Sequence, residues 1–147
     1  MTVSYSKNNL LSTLDLSTCP SVRRITASKN KITSITGISD NLRFLDLSNN
    51  LSLSLKPLAP AKNLHVCILR NCQARDFSFL ENTLSLLYLD LYNVGLMNSE
   101  LDFLGNCNFL IYLNVGCNMY TQMPSIPTTI MLRELDLSGN EFGYVLI

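Results

Sequence analysis

The chain is poor in the residues that most often carry chemistry or break structure. It holds one histidine, His65, and only six glycines and five prolines in 147 residues. A single imidazole leaves few ways to build a metal or acid–base cluster. Glycine this sparse, with no glycine-rich run, excludes a phosphate-cradling loop. Few Gly and Pro together with 47% hydrophobic residues exclude a disordered segment. No apolar run approaches the ~18 residues of a membrane span. The opening residues Met1 to Lys7 lack the apolar centre of a signal peptide. The expectation is therefore a cytoplasmic domain long enough to bury a core.

The five cysteines, Cys19, Cys67, Cys72, Cys107 and Cys117, are odd in number and match no zinc spacing. They read as reduced thiols, with no cofactor or metal required. One glycosylation sequon occurs, Asn50-Leu51-Ser52, but the frame below turns Asn50 inward. The zero net charge hides a polarity. Residues 1–75 carry ten Lys/Arg and three Asp/Glu, whereas residues 76–147 carry one and eight. A chain with balances of +7 and −7 can orient a partner or favour head-to-tail contact.

What the chain has in abundance is one phrase repeated. "LRFLDLSNNLS" at 42–52 returns as "LRELDLSGNEF" at 132–142. The template L-x-x-L-x-L-x-x-N-x-L starts at 22, 42, 64, 86, 110 and 132, at separations of 20, 22, 22, 24 and 22. An incomplete first copy fits Val3, Tyr5, Asn8 and Leu10. Such self-similarity signals stacked units, none of which can bury its apolar side alone. The x-L-x-L-x alternation has period two, which suits a strand with one buried face. Strands are predicted around Val3–Tyr5, Ile25–Ala27, Leu45–Leu47, Cys67–Leu69, Leu89–Leu91, Leu113–Val115 and Leu135–Leu137, parallel in one sheet. The Asn that follows offers amide groups to the unpaired backbone of the bend. Cys72 substitutes weakly, and Val94 cannot, so backbone or water must serve there.

These motifs, with "NKITSITGISDNLRFLDLSNN", resemble the leucine-rich repeat family, in its short subclass of about 22 residues found in cytosolic eukaryotic proteins. The resemblance covers nearly the whole chain as one domain, 1–147. It implies an α/β solenoid, a right-handed superhelix with a parallel concave sheet and short 3₁₀, α or irregular convex segments. "LDLSTC" at 14–19 copies the motif out of phase, and Leu16 is read as a convex-side core residue. "ITSITGIS" and "LSLSLKPLAP" predict irregular or 3₁₀ turns. Ser99 and Asp102 in "NSELDFLGNCNF" predict a capped short α-helix ended near Gly105. Pro124 and Pro127 exclude a regular helix nearby. The apolar end, Gly143 to Ile147, predicts either a longer protein with further repeats or a partner chain over that edge.

The candidates for catalysis are thin. His65 reads as a surface residue and Cys67 as core, which disfavours a Cys–His nucleophile. Asp46, Asp90 and Asp136 share one strand position but alternate with Ile68 and Asn114, so neighbouring acids lie two repeats apart, ~10 Å. They read as solvated surface rather than as an acid–base pair. Basic residues are scattered: Arg23, Arg43 and His65 on one flank, Lys29 and Lys31 on the other, Lys56 and Lys62 behind. That is no stripe for nucleic acid.

The outward strand positions are more informative. Phe44, Val66, Ile68, Arg70, Tyr88, Asp90, Tyr92, Tyr112 and Asn114 occupy the middle of the concave face. An apolar, aromatic and Arg-bearing centre with a polar rim has the make-up of a protein-binding surface. Strand propensity alone would also favour such residues. The expected function is a non-catalytic interaction module, a scaffold or regulatory subunit. The alternative is the recognition domain of a signalling enzyme, of cyclase or phosphatase type. Nucleic acid ranks last, and no membrane contact is expected.

Overall fold

The structure is a computed structural model that describes residues 1–4, 10–98, 101–128 and 130–143. It is a solenoid. Seven strands form one sheet: β1 Thr2–Ser4, β3 Arg24–Thr26, β5 Phe44–Asp46, β6 Val66–Ile68, β7 Tyr88–Asp90, β8 Tyr112–Asn114 and β9 Glu134–Asp136. Neighbours pair in parallel and in unbroken register, with Ile25, Leu45, Cys67, Leu89, Leu113 and Leu135 side by side. The leucine template therefore sets both the strand and the register, since slipping by one residue would expose every inward side chain.

From β3 on, each strand of this sheet begins and ends one residue earlier than the alternation predicts. Backbone bonds between turns continue past the strand ends, from the Ala27 N–H to Asp46 and from the Leu47 N–H to Ile68. The side chains of Asp46, Asp90, Asn114 and Asp136 each accept the backbone N–H two residues on, at 2.8 to 3.1 Å, and shape the bend that follows. Tyr5, Ser6 and Asn8 of the first copy lie outside the described residues.

The core is a column of fully buried side chains, among them Ile25, Leu45, Leu69, Leu89, Leu113 and Leu110. Leu16 joins it as predicted. At the last turn Leu132, Leu135 and Leu137 are only half-buried, because no further turn stacks on them among the described residues.

The return segments differ from expectation in two places. "ITSITGIS" is not irregular: β4 Ser34–Thr36 pairs with β2 Thr13–Asp15, at the out-of-phase motif copy, as a separate two-stranded sheet. Leu14 and Ile35 supply its buried face. The α-helix expected over 98–109 is a 3₁₀ helix, Asp102–Asn106. Ser99, the proposed cap, lies outside the described residues. Two more 3₁₀ segments, Lys56–Leu58 and Ser78–Asn82, occupy matching positions. Single 3₁₀ turns suit a return path too short for several α-helical turns. Residues 123–128 contain no helix, as the two prolines require.

The asparagine ladder follows the predicted logic. Asn50 is fully buried, which removes its sequon from solvent. Its Nδ2 donates to the carbonyls of Ala27 and Leu47, and its Oδ1 accepts the Ile32 N–H. Asn118 serves more groups still, accepting from Val94, Gly95 and Leu96. At Val94 the backbone itself substitutes. The Cys72 N–H bonds the Leu69 carbonyl, and the Ala74 N–H bonds that of Cys72. The Cys72 thiol donates to the Leu47 carbonyl.

Candidate functional site

The outward face of the main sheet carries the predicted column Arg24, Phe44, Val66, Tyr88, Tyr112 and Glu134 in register. The inner four are half-buried and the two charged ends exposed. Parallel strands lie ~4.8 Å apart, so these side chains touch along the column. Tyr88 and Tyr112 stack in parallel with ring centroids 4.1 Å apart. The Arg24 guanidinium lies over the Phe44 ring, 3.5 Å from its centre. The result is one continuous ribbon rather than scattered apolar residues.

The second column corrects a sequence reading. Asp90 and Asn114 point outward yet are only 2% exposed, so they are not solvated surface. They are roofed by the longer side chains beside them. The Arg70 Nε approaches the Asp90 Oδ2 at 3.3 Å, and Arg70 also covers the Tyr92 ring. Burial pushes the Asp90 carboxyl above its ordinary value, opposed by the Tyr92 N–H and Arg70. Asp136, which is far less enclosed, is held below its ordinary value by Ser138. Burial also raises the Tyr88 phenol, and its bond to Tyr112 adds to this. Ile68 is half-buried between Asp46 and Asp90.

The third predicted column falls past the strands, in the bend. Arg70 is exposed there, and Tyr92 is half-buried, with its hydroxyl accepting from the Cys117 thiol at 2.8 Å. The structure thus brings together Phe44, Val66, Ile68, Arg70, Tyr88, Tyr92 and Tyr112 on one face. Asp90 and Asn114, both buried, lie beneath the longer side chains of that face.

Two features escaped the sequence reading. Leu87 and Ile111, directly before the tyrosines, are exposed and extend the apolar ribbon onto the flank. The signal was present: the same position holds Arg23, Arg43 and His65 in earlier repeats. The second feature is a column at the bend, Lys29, Asn49, Asn71, Asn93, Cys117 and Gly139, all with φ between 52° and 68°. Asn and Gly tolerate this left-handed region best. The Asn71 amide donates to Asn49 and the Asn93 amide to Asn71, forming a surface ladder.

The structure does not pair Cys67 with His65. Cys67 is fully buried, and desolvation drives its thiol far up; the half-buried His65 turns its Nδ1 to the Asn63 carbonyl. No group of three or more metal-binding side chains occurs among the described residues. No helix among them is long and apolar enough to cross a membrane. Comparison with family models gives no match, and comparison with curated proteins gives none.

Proposed function

We propose that this chain is a leucine-rich-repeat interaction module that binds a partner protein on its concave face. The observation that carries this reading is the continuous ribbon Phe44–Val66–Tyr88–Tyr112, ordered by stacking and flanked by Arg70 and Tyr92. Exposed apolar surface of this extent is costly in water unless a partner covers it. Tyrosine and arginine are the side chains that most often dominate such contacts. Prior stacking of Tyr88 on Tyr112 lowers the entropy lost on binding.

The face is suited to recognition rather than turnover. The carboxylates of its second column are committed: Asp90 to Arg70 and the Tyr92 N–H, Asp46 and Asp136 to backbone N–H groups. A scaffold, a regulatory subunit and the recognition domain of a larger signalling enzyme would all use this face alike.

The test is a paired substitution measured against an isolated partner. Tyr88→Ala with Tyr112→Ala is expected to weaken binding about a hundredfold or more, from ~2 kcal/mol or more per buried aromatic. The melting temperature should fall by only a few degrees, since neither ring plugs the core. Leu89→Ala, between them but fully buried, should instead cost ~2–5 kcal/mol of stability. Partner affinity unchanged by the double substitution would remove the concave face from the binding site.

A further inference from the structure

The flank after the bend carries a groove that is separate from the concave face. The flank segments that follow the bend pair turn to turn at both ends of the solenoid. The Lys31 and Thr33 N–H groups bond the carbonyls of Leu11 and Ser12, and β2 pairs with β4. Farther along, the Met119 N–H bonds the Leu96 carbonyl, Met97 bridges Met119, and the Glu141 N–H bonds Tyr120. Between these ends, segments 51–55, 73–77 and 95–97 make no backbone hydrogen bonds to one another among the described residues.

A groove of about 600 Å³ opens in that gap. Leu51 and Leu53 form one wall, Leu96, Met97 and Met119 the other, and Gln73, Ala74, Arg75 and Phe77 the floor. The recess has a local cause. Val94 stands where an Asn would hold segment 72–74 outward, so that segment folds back on itself. The Ala74 N–H bonds the Cys72 carbonyl, and the small Ala74 stands where Ile32, Leu96 and Tyr120 fill other turns. The flanking walls belong to turns two steps apart, with the intervening turn supplying Gln73, Ala74, Arg75 and Phe77 between them.

We infer that this groove takes an extended peptide from a partner protein, apolar at alternate positions and carrying an acidic residue. The exposed side chains of Leu51, Met97 and Met119 face such a strand from the two walls, with Asn71, Gln73 and Asn93 as polar lining. Methionine adapts to varied apolar partners. The carbonyls of Leu51 and Leu53 accept no hydrogen bond among the described residues and supply the edge for strand addition. Arg75 is the sole charged lining side chain, exposed and without an ion pair among the described residues. No carboxylate lines the groove to repel an acidic peptide.

The test is selection of a displayed library of random eight-residue peptides on the full chain. Enriched peptides should alternate apolar and polar residues and include Asp or Glu. Synthesised, they should bind L51E/M97E at least ~10-fold more weakly, a change of about 1.4 kcal/mol. Both positions are more than half exposed, so the fold should persist, checked by an unchanged melting curve. Arg75→Glu should exchange the preference for Asp or Glu for one toward Lys or Arg. Tyr88→Ala/Tyr112→Ala should bind the peptides as the parent does, which separates this site from the concave face. No enrichment over background would overturn the inference. So would enriched peptides insensitive to L51E/M97E, or a groove protected only as the chain self-associates.

Discussion

The asparagine ladder predicts that equivalent residues carry unequal weight, and Asn118 is the sharpest case. Its side chain is 4% exposed. Its Oδ1 is the acceptor for the N–H groups of Val94, Gly95 and Leu96, at 3.0 to 3.1 Å. Its Nδ2 donates to the carbonyls of Leu91, Val115 and Gly116. In Asn118→Ala the Val115 carbonyl keeps the amide of Asn140. The N–H groups of Val94 and Leu96, both buried, and the Leu91 carbonyl lose their partner. A buried polar group left unsatisfied costs ~1–3 kcal/mol, so the change should cost ~3–6 kcal/mol after partial relaxation. That is a large share of the ~5–15 kcal/mol available to a domain. Asn30→Ala is the control. Asn30 sits at the same template position, but its Oδ1 accepts a 3.3 Å bond from the part-buried Leu11 N–H, and its Nδ2 donates to the part-buried Ser28 carbonyl and to that of Ala27, which keeps the Asn50 amide. Its loss should cost ~1 kcal/mol. Urea unfolding followed by circular dichroism compares the two. A difference below ~0.5 kcal/mol between them would refute the reasoning, because it would mean that the bend is held by packing alone.

Three more outcomes follow from particular contacts. Asp90→Asn keeps the bond to the Tyr92 N–H, as Asn114 already does for Gly116. The folded carboxyl of Asp90 is raised above 3.8, so its ionisation costs stability, and the wild type loses that contribution as pH rises through the folded value. The variant should therefore gain on the wild type from pH 4 toward neutrality, then run parallel to it; a gap that narrows with pH in urea titrations would contradict this. Gly37→Ala should destabilise by several kcal/mol and unpair β2 from β4, since φ is +73° and a Cβ would lie 2.2 Å from the Ser17 nitrogen; a melting point within two or three degrees of the parent would sink it. Native alkylation read by mass spectrometry should label Cys19 and Cys117 and spare Cys67, Cys72 and Cys107. The last three are buried, and burial raises the Cys72 thiol to about 11; prompt labelling of Cys72 would show that segment to be open.

The sequence by itself determined the stack. Period-two leucines at steady spacing admit one buried face per strand, and the Asn after each strand marks the bend. Strand order, parallel pairing, register and the Phe44–Tyr112 ribbon follow from those local patterns, because each turn meets a near copy of itself. Tertiary structure decided what depends on the neighbouring turn. Whether an outward acid is solvated cannot be read from its own repeat: Asp46 and Asp136 stay half-exposed, while Asp90 is roofed by Arg70 and Tyr92. Whether a flank segment pairs depends on what the adjacent turn offers, so "LDLS" and "SIT" form a sheet while 73–77 withdraws and leaves a groove. Val94 alone announces a missing amide. Only the packed turns show that the backbone answers by folding inward, because a buried carbonyl takes the nearest donor the assembled core provides.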